Sequence, residues 1–264
     1  MIINNYEAMK SFILCGGRGT RLDLESKDKP KAMVKIGKYP IIIHLIKIFL
    51  KNGVSEFVLC LGYKKEIIEK YFIKTFNKKK NFFNFEIKQK KIKKINFLLE
   101  KKKISIYFVD TKMNSGTAGR IKIANSLIKN TEPFLMTYCD GLANINIKKL
   151  VKEHKKSKKL VTVTAVQPRH RYGVLEIKKK LVTNLNNKNP KQNIRINAGF
   201  FVIEQKALKY ISNEKNYWEI DSIKRIIKTK QLNSFIFDGF WSSLDTLKDK
   251  LYLNNLWKKN KKIW

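Results

Sequence analysis

A glycine-rich turn followed by basic residues is the part of this sequence best suited to chemistry. Residues 14–22 read Leu-Cys-Gly-Gly-Arg-Gly-Thr-Arg-Leu, and a Lys-Pro-Lys string ends at Lys31. Glycine has no Cβ, so backbone N–H groups in this turn can approach the oxygens of a polyphosphate, and Arg21 and Lys31 would supply positive charge. The spacing differs from the dinucleotide fingerprint and from the Gly-Lys-Ser/Thr phosphate loop. The turn therefore predicts a polyphosphate site of another kind, with a plain glycine turn as the alternative.

A carboxylate placed just after an apolar run is the second chemical signal. Asp140 follows the apolar segment 134–137, and α/β sheets bind ligands beyond the carboxyl ends of their strands. Mg²⁺ prefers hard oxygen ligands and typically takes one or two protein carboxylates, with phosphate and water completing its shell. Asp140 is thus a candidate magnesium ligand, and a turn carboxylate without a ligand is the alternative.

Alternating apolar runs and helical patterns must position these residues. Strands are predicted at 11–15, 56–61, 104–109, 134–137, 161–166, 173–177, 181–185 and 196–203. Helices are predicted at 40–51, 64–76, 118–128, 146–156 and 246–257, with Leu247 and Leu251 on the apolar side of the last. His154 is expected to be a surface or loop residue. Such alternation is typical of a parallel α/β sheet. We therefore predict a Rossmann-like α/β fold with a mixed, mostly parallel central sheet flanked by helices.

The basic composition suggests nucleic acid as a competing partner. The formal net charge is +36, but only seven of the 57 basic residues are Arg, and the lysines are spread over the chain. That profile indicates compositional drift more than a selected binding face, although a basic nucleic-acid-binding protein stays open as an alternative. A positive field would also raise the encounter rate with phosphorylated substrates.

Cysteine usage and hydropathy predict a cytoplasmic protein. Cys15, Cys60 and Cys139 are odd in number and widely separated, unlike a disulfide framework or a zinc site, so reduced thiols are expected. No uncharged apolar run is long enough to span a membrane, and the first ten residues do not resemble a signal peptide. No specific nucleic acid and no membrane are predicted as partners.

The chain resembles the sugar 1-phosphate nucleotidyltransferases, whose signature reads Gly-Gly-x-Gly-Thr-Arg-Leu followed by Pro-Lys. The likeness runs from about Met9 to Trp264 and is greatest to the glucose-1-phosphate cytidylyltransferases. Supporting strings are Leu-Gly-Tyr-Lys at 61–64, Thr-Ala-Gly-Arg at 117–120, Tyr-Cys-Asp-Gly at 138–141, Asn-Ala-Gly-Phe-Phe at 197–201 and Gly-Phe-Trp at 239–241. The resemblance implies one domain over 9–264 and an N-terminal extension at 1–8. The Lys-rich composition of 77–104 predicts a small insertion there, either an antiparallel excursion or a flap.

The resemblance also implies roles for individual residues. For the nucleotide and its phosphates these are Leu14, Gly16, Gly17, Gly19, Thr20, Arg21, Lys31, Thr117 and Arg120, and Arg21, Lys31 and Asp140 would be catalytic. Asp245 would join Asp140 on Mg²⁺. Tyr172, Gly173, Lys188, Asn197 and Asp221 would contact the sugar phosphate, and Trp218 and Glu219 also match the family.

The implied reaction joins a nucleoside triphosphate, CTP by the nearest resemblance, to glucose 1-phosphate and releases pyrophosphate and CDP-glucose. A uridylyl- or thymidylyltransferase is the alternative within the family. A binding protein that has lost the chemistry is a further alternative, because Asn187 stands where the family has Glu and Asn189 separates Lys188 from Pro190. The resemblance further implies a homo-oligomer, such as a hexamer.

Overall fold

The computed structural model describes residues 9–17, 28–77, 82–89, 92–128, 132–168, 174–178, 180–186, 194–259 and 263–264. Its strands are β1 (Lys10–Leu14), β2 (Lys35–Ile36), β3 (Tyr39–Pro40), β4 (Glu56–Leu61), β5 (Phe82–Gln89), β6 (Ile92–Leu99), β7 (Lys102–Asp110), β8 (Phe134–Tyr138), β9 (Gly141–Ala143), β10 (Val161–Val166), β11 (Val174–Lys178), β12 (Leu181–Asn186), β13 (Ile196–Ile203), β14 (Leu232–Phe237) and β15 (Trp241–Ser243). Its α-helices are α1 (Ile41–Lys51), α2 (Lys65–Asn77), α3 (Thr117–Ile123), α4 (Ile147–Ser157), α5 (Ile223–Lys228) and α6 (Leu247–Lys258).

A nine-stranded sheet in the order β14-β10-β13-β8-β1-β4-β7-β6-β5 organises the described residues. The four central strands, β8, β1, β4 and β7, are parallel neighbours. Only β13 and β6 run against the others, each antiparallel to its neighbours on both sides. The predicted fold class, a mixed and mostly parallel α/β sheet flanked by helices, is confirmed.

Apolar packing on both faces explains why the central strands are nearly continuous hydrophobic runs. In β1, Phe12 and Leu14 pack on the face covered by α3, whereas Ile13 packs on the face covered by α1. Parallel strands that carry helices on both faces have this character. Burial of one such side chain contributes about 2 to 3 kcal/mol, so these runs fix which face of the sheet each residue occupies.

The Lys-rich segment extends the sheet at one edge. β5 and β6 pair antiparallel, and β6 pairs antiparallel with β7. This agrees with the antiparallel arrangement expected around 77–104. That the segment is an insertion in a single domain stays a prediction, and the proposed extension at 1–8 lies outside the described residues.

Two expectations about helix faces are wrong. Leu247 and Leu251 of α6 are 57% and 62% exposed, and the buried residue of this helix is Leu253. The Trp257 ring instead covers Gly37, leaving no space there for a Cβ. His154 of α4 is buried rather than on the surface. No described helix combines the length and apolar character needed to cross a membrane.

Candidate active site

A cleft of about 520 Å³ opens at the carboxyl ends of the central strands. This is the edge at which open α/β sheets bind their ligands. Most of its wall comes from the ends of β1 and β8, the segments that follow β1, β7 and β8, and the α3 helix. The lining residues are Leu14, Gly16, Gly17, Lys31, Met113, Asn114, Ser115, Thr117, Arg120, Tyr138, Cys139, Asp140 and Tyr217. Many of the nucleotide-site residues predicted from the sequence are therefore gathered in one place.

Lys31 lies between the two predicted metal-binding aspartates. Its Nζ donates to Asp140 Oδ2 and to Asp245 Oδ1, both at 2.8 Å. The two carboxylates meet because the short strands β9 and β15 pair and the Leu244 N–H donates to the Asp140 carbonyl at 2.8 Å. Lys31 begins a one-turn 3₁₀ helix that is anchored by the buried residues Ala32 and Met33. The predicted convergence of Lys31, Asp140 and Asp245 is thus present.

The two carboxylates control the charge state of Lys31. Burial of Lys31 lowers its pKa, but the charge and hydrogen bond of Asp140 and the hydrogen bond of Asp245 outweigh this effect. The net result is a pKa above the usual value for lysine. The ammonium group is therefore fully protonated at neutral pH and is a fixed positive charge in the cleft.

The donor set at this point suits Mg²⁺. Both carboxylate oxygens already share one cation, the Lys31 ammonium, at hydrogen-bond distance. Mg²⁺ needs only one or two protein carboxylates when phosphate oxygens and water supply the rest of its shell. Among the described residues no group of three or more His, Cys, Asp and Glu side chains could hold a metal ion. A site completed by the substrate is the arrangement that fits.

Arg120 ties the loops of the cleft together. Its side chain is buried, and its Nη1 and Nη2 atoms donate to five oxygens: Leu61 O at 3.3 Å, Thr111 Oγ1 at 2.7 Å, Lys112 O at 3.0 Å, Gly16 O at 3.1 Å and Met113 O at 3.2 Å. A Cβ on Gly16 would lie 1.8 Å from Nη1, so this close approach requires glycine. Arg120 lines the cleft as predicted, and its guanidinium binds four backbone carbonyls and the Thr111 hydroxyl.

Glu219 bridges the two sides of the cleft. It accepts hydrogen bonds from Thr117 Oγ1 at 2.8 Å and from the Tyr138 hydroxyl. Thr117 Oγ1 in turn accepts from the Trp218 N–H at 2.8 Å. Burial and the neighbouring charge of Glu219 raise the pKa of Tyr138, so its hydroxyl stays a donor. Thr117 therefore lies at the cleft as predicted, with its hydroxyl bound to Glu219.

A distortion in β13 positions Asn197. The register of β10 with β13 shifts between Val163 and Ala165, and Gly199 has φ +86° with Tyr138 against the position of a Cβ. Asn197 accepts from the Gly199 N–H at 2.8 Å, and its Nδ2 lies 3.5 Å from the Tyr138 hydroxyl. Bulges often re-aim side chains beside active sites. Asn197 is thereby brought next to the Tyr138–Glu219 pair.

Asp221, predicted to contact the sugar phosphate, is bonded to the protein backbone. Its Oδ2 accepts the backbone N–H of Tyr217 at 2.6 Å. The carboxylate that reaches Tyr138 is that of Glu219, two residues earlier. The sequence signal for Glu219 was its place in the Trp-Glu string. The other predicted residues, Gly19, Thr20, Arg21, Tyr172, Gly173 and Lys188, lie outside the described residues.

Comparisons with known proteins agree with this geometry. The Nucleotidyl transferase family model matches residues 10–259. Glucose-1-phosphate cytidylyltransferase from Salmonella typhimurium is 37% identical over 264 residues, which cover 97% of this chain and 98% of that protein. Probable glucose-1-phosphate cytidylyltransferase from Bacillus subtilis is 35% identical over 257 residues, with 97% and 99% coverage.

Solved structures share the fold. HddC from Yersinia pseudotuberculosis superposes with a TM-score of 0.67 at 22% identity, covering 94% of this chain and 99% of that one. A UDP-glucose pyrophosphorylase in complex with UDP-glucose gives a TM-score of 0.67 at 16% identity, with 96% and 99% coverage. With its family match over most of the sequence and its near full-length relatives, this chain belongs to the nucleotidyl transferase family.

Proposed function

We propose that this protein transfers the cytidylyl group of CTP to glucose 1-phosphate, giving CDP-glucose and pyrophosphate. The observation that carries the proposal is the identity of 35% to 37%, over nearly the whole chain, to proteins named as glucose-1-phosphate cytidylyltransferases or probable ones. The convergence of Lys31, Asp140 and Asp245 on a cleft with a glycine-rich wall supports it. The base and the sugar are carried over from those relatives.

In the proposed reaction, an oxygen of the sugar phosphate attacks the α-phosphorus of the triphosphate. A new P–O bond forms, the bond to the β-phosphate oxygen breaks, and pyrophosphate leaves with the electron pair. The attacking phosphate is already ionised at neutral pH, so no general base is needed. Catalysis then rests on positioning and on charge neutralisation.

The protonated Lys31 ammonium is the described side chain best placed to contact the triphosphate. Asp140 and Asp245 would hold Mg²⁺, which would supply charge neutralisation on the phosphates. Arg21, in the glycine-rich turn, would add a second cation, and Lys188 would bind the incoming sugar phosphate. Loss of one fixed cation at such a site typically costs about 3 to 4 kcal/mol of transition-state stabilisation.

On the sugar side, we assign Glu219 and Asn197 to hexose hydroxyls. A carboxylate has room for about four accepted hydrogen bonds, and Thr117 and Tyr138 occupy only two positions on Glu219. The remaining positions can accept from the sugar. Asn197, at the end of the β13 distortion, also contacts the Tyr138 hydroxyl.

The decisive experiment measures pyrophosphate release with each of the four ribonucleoside triphosphates and dTTP, paired with glucose, mannose and galactose 1-phosphates, with and without Mg²⁺. We expect the highest kcat/KM with CTP and glucose 1-phosphate, and no release without Mg²⁺. A preference for UTP or dTTP would instead identify a uridylyl- or thymidylyltransferase. Calorimetric CTP binding without any release would identify a nucleotide-binding protein that has lost the chemistry.

The remaining expectations are also proposals. A homo-oligomer and a cytoplasmic location are inferred from the resemblance and the composition. Light scattering of the purified protein tests the first, and a monomer at working concentration would refute it.

A further inference from the structure

Two of the three cysteines lie side by side beneath the cleft. Cys15, Cys60 and Cys139 are all buried free thiols. β1 and β8 are parallel neighbours in which Leu14 is opposite Tyr138. Cys15 and Cys139 each follow one member of that pair, so they are the next positions along the two strands. No other pair of cysteines in the sequence has adjacent in-register positions on the same face of the sheet.

The side chains of Cys15 and Cys139 point to the same face. Leu14 and Cys60 belong to the core on the α3 side of the sheet, whereas Cys15 and Cys139 belong to the core on the α1 side. Neighbouring strands are about 4.8 Å apart, which is within the Cα separation of about 4.4 to 6.8 Å that disulfides require. The two thiols are also hydrogen-bonded to each other. Cys60, opposite Leu14 on β4, faces away from both.

Cys139 is the thiol that a small reagent meets first. It forms part of the cleft wall and is 7% exposed, whereas Cys15 is 1% exposed and Cys60 is fully buried. Burial raises the pKa of Cys15 well above its usual value, which makes Cys15 unreactive until a partner sulfur is activated next to it.

We propose that Cys15 and Cys139 form an oxidative modification site, at which a peroxide produces an intramolecular disulfide. The sulfur of Cys139 attacks one peroxide oxygen, the O–O bond breaks, and Cys139 becomes a sulfenic acid while one water leaves. The sulfur of Cys15 then attacks the sulfur of Cys139, and the hydroxyl leaves as a second water with the proton of Cys15. The two cysteines lose two hydrogen atoms together, and hydrogen peroxide is reduced to two waters.

The disulfide would act directly on the cleft. Its S–S bond is about 2.05 Å long, which is shorter than any hydrogen-bonded sulfur contact, so the two side chains must rotate toward each other and the ends of β1 and β8 become cross-linked. Cys15 precedes Gly16, whose carbonyl is held by Arg120 and by the Tyr63 N–H at 3.3 Å. Cys139 precedes Asp140, whose carbonyl is held by the Leu244 N–H. A shift of either residue on cross-linking would therefore reach the Gly16 turn or Asp140, and with them the proposed phosphate site.

The test is chemical and needs no activity. The folded, reduced protein is treated with hydrogen peroxide, the remaining thiols are alkylated, and the intact mass and peptide map are recorded. We expect loss of two hydrogen atoms, one alkylated thiol, and a peptide linking Cys15 to Cys139. Cys60→Ala should give the same linkage, and Cys15→Ser should abolish it and leave Cys139 oxidised without a partner. A linkage through Cys60, or stepwise over-oxidation of Cys139 with Cys15 free, would overturn the proposal.

A second measurement tests the consequence and rests on the proposed function. Turnover of the oxidised protein should fall at least tenfold and return on addition of dithiothreitol, and saturating CTP with Mg²⁺ should slow the oxidation. In Cys15→Ser, dithiothreitol should restore less of the lost activity than in the unmodified sequence. A linked protein with full turnover would refute the effect on the cleft. An inactive reduced protein that still forms the linkage would refute the proposed function and leave the modification site standing.

Discussion

At the scale of single residues, Arg120 shows how one side chain can hold several loops of a site together. Its buried guanidinium serves five oxygens from three separate loops. Planar, forked donors make this possible, and a lysine ammonium has only three donors at one point. Burial lowers the pKa of Arg120, yet the guanidinium stays positively charged because the usual pKa of arginine is so high. We therefore propose that Arg120 is a positioning residue for the Gly16 turn.

Replacement of Arg120 by Lys should be costly although the charge is kept. A lysine ammonium could replace only some of the five contacts, and a buried hydrogen bond left unmade costs about 1 to 3 kcal/mol. We expect the free energy of unfolding to fall by about 2 to 3 kcal/mol in urea titrations, and the KM for CTP to rise more than kcat falls. Lys122→Arg, on the same helix and bonded to carbonyls 211 and 212, is the control. Equal stability of Arg120→Lys and the unmodified chain would refute this role.

Residue-scale prediction from sequence succeeded where the chain direction fixes the side chain. Asp140 comes two residues after the central strand β8, so it had to lie at the carboxyl edge of the sheet. The orientation of the Glu219 side chain toward Tyr138 depended on the turn at Trp218–Ser222, which is a π-helix. Its wider hydrogen-bond spacing rotates side chains away from the α-helical positions, and no sequence pattern announced it.

At the scale of elements, α4 carries a polar residue on its buried face. Ile147, Leu150, Val151 and His154 are the buried residues of this helix, and their spacing is that of one helical face. His154 contacts Thr162 Oγ1 through Nδ1 at 2.9 Å and Glu204 Oε1 through Nε2 at 3.1 Å. The imidazole thus connects α4 to β10 and to the end of β13.

His154 should make the fold sensitive to acid. Burial lowers the pKa of His154 below its usual 6.5, even though Glu204 acts in the opposite direction. The unfolded chain therefore binds a proton near pH 6.5 that the folded chain does not, and the free energy of unfolding falls as pH decreases through that value. The slope contributed by one such group is at most about 1.4 kcal/mol per pH unit.

His154→Gln tests this contribution by urea titration between pH 7 and pH 5. We expect the dependence of stability on pH in that interval to become shallower than in the unmodified chain. Lys156→Gln, an exposed residue of the same helix, should leave the slope unchanged. An unaltered slope in His154→Gln would contradict this account, because it would mean that the imidazole has the same pKa in the folded and unfolded chains.

Element prediction succeeded for the apolar core and failed for polar edges. β4, β10 and β13 have the predicted bounds, because each is an apolar run buried between helices. β14 and α5 were not predicted. β14 lies at the sheet edge with Ser234 and Ile236 exposed. Its two faces therefore differ little in hydrophobicity, and the sequence pattern of a strand is weak there. The order of strands across the sheet could likewise not be predicted from the hydrophobic pattern, because it depends on contacts between residues distant in sequence.

At the scale of the whole molecule, net charge shapes the encounter with substrate. A chain of net charge +36 attracts a triphosphate over distances comparable to the Debye length, about 8 to 10 Å at physiological salt. The attraction acts on association and fades as salt is added. The chemistry inside the cleft depends on short contacts and is screened less.

Added potassium chloride should therefore raise the KM for CTP several-fold while kcat changes little. Sucrose at matched osmolality controls for effects on water activity and should leave KM unchanged. A KM independent of salt would mean that the lysines do not steer the substrate. Tight DNA binding at physiological salt, with no turnover of any sugar phosphate, would support a nucleic-acid-binding protein instead.

The central claim is that Lys31, Asp140 and Asp245 act on one triphosphate. The most direct measurement is Mg²⁺-dependent pyrophosphate release from CTP and glucose 1-phosphate by Asp140→Asn, Asp245→Asn and Lys31→Ala. The control is Glu69→Gln, which removes a carboxylate paired with Lys93 on the outer side of the sheet at 2.5 Å. We predict that all four variants fold. We expect kcat to fall about a hundredfold or more in the three cleft variants and turnover of the control to stay near normal. Near-normal turnover in any of the three cleft variants would contradict the account.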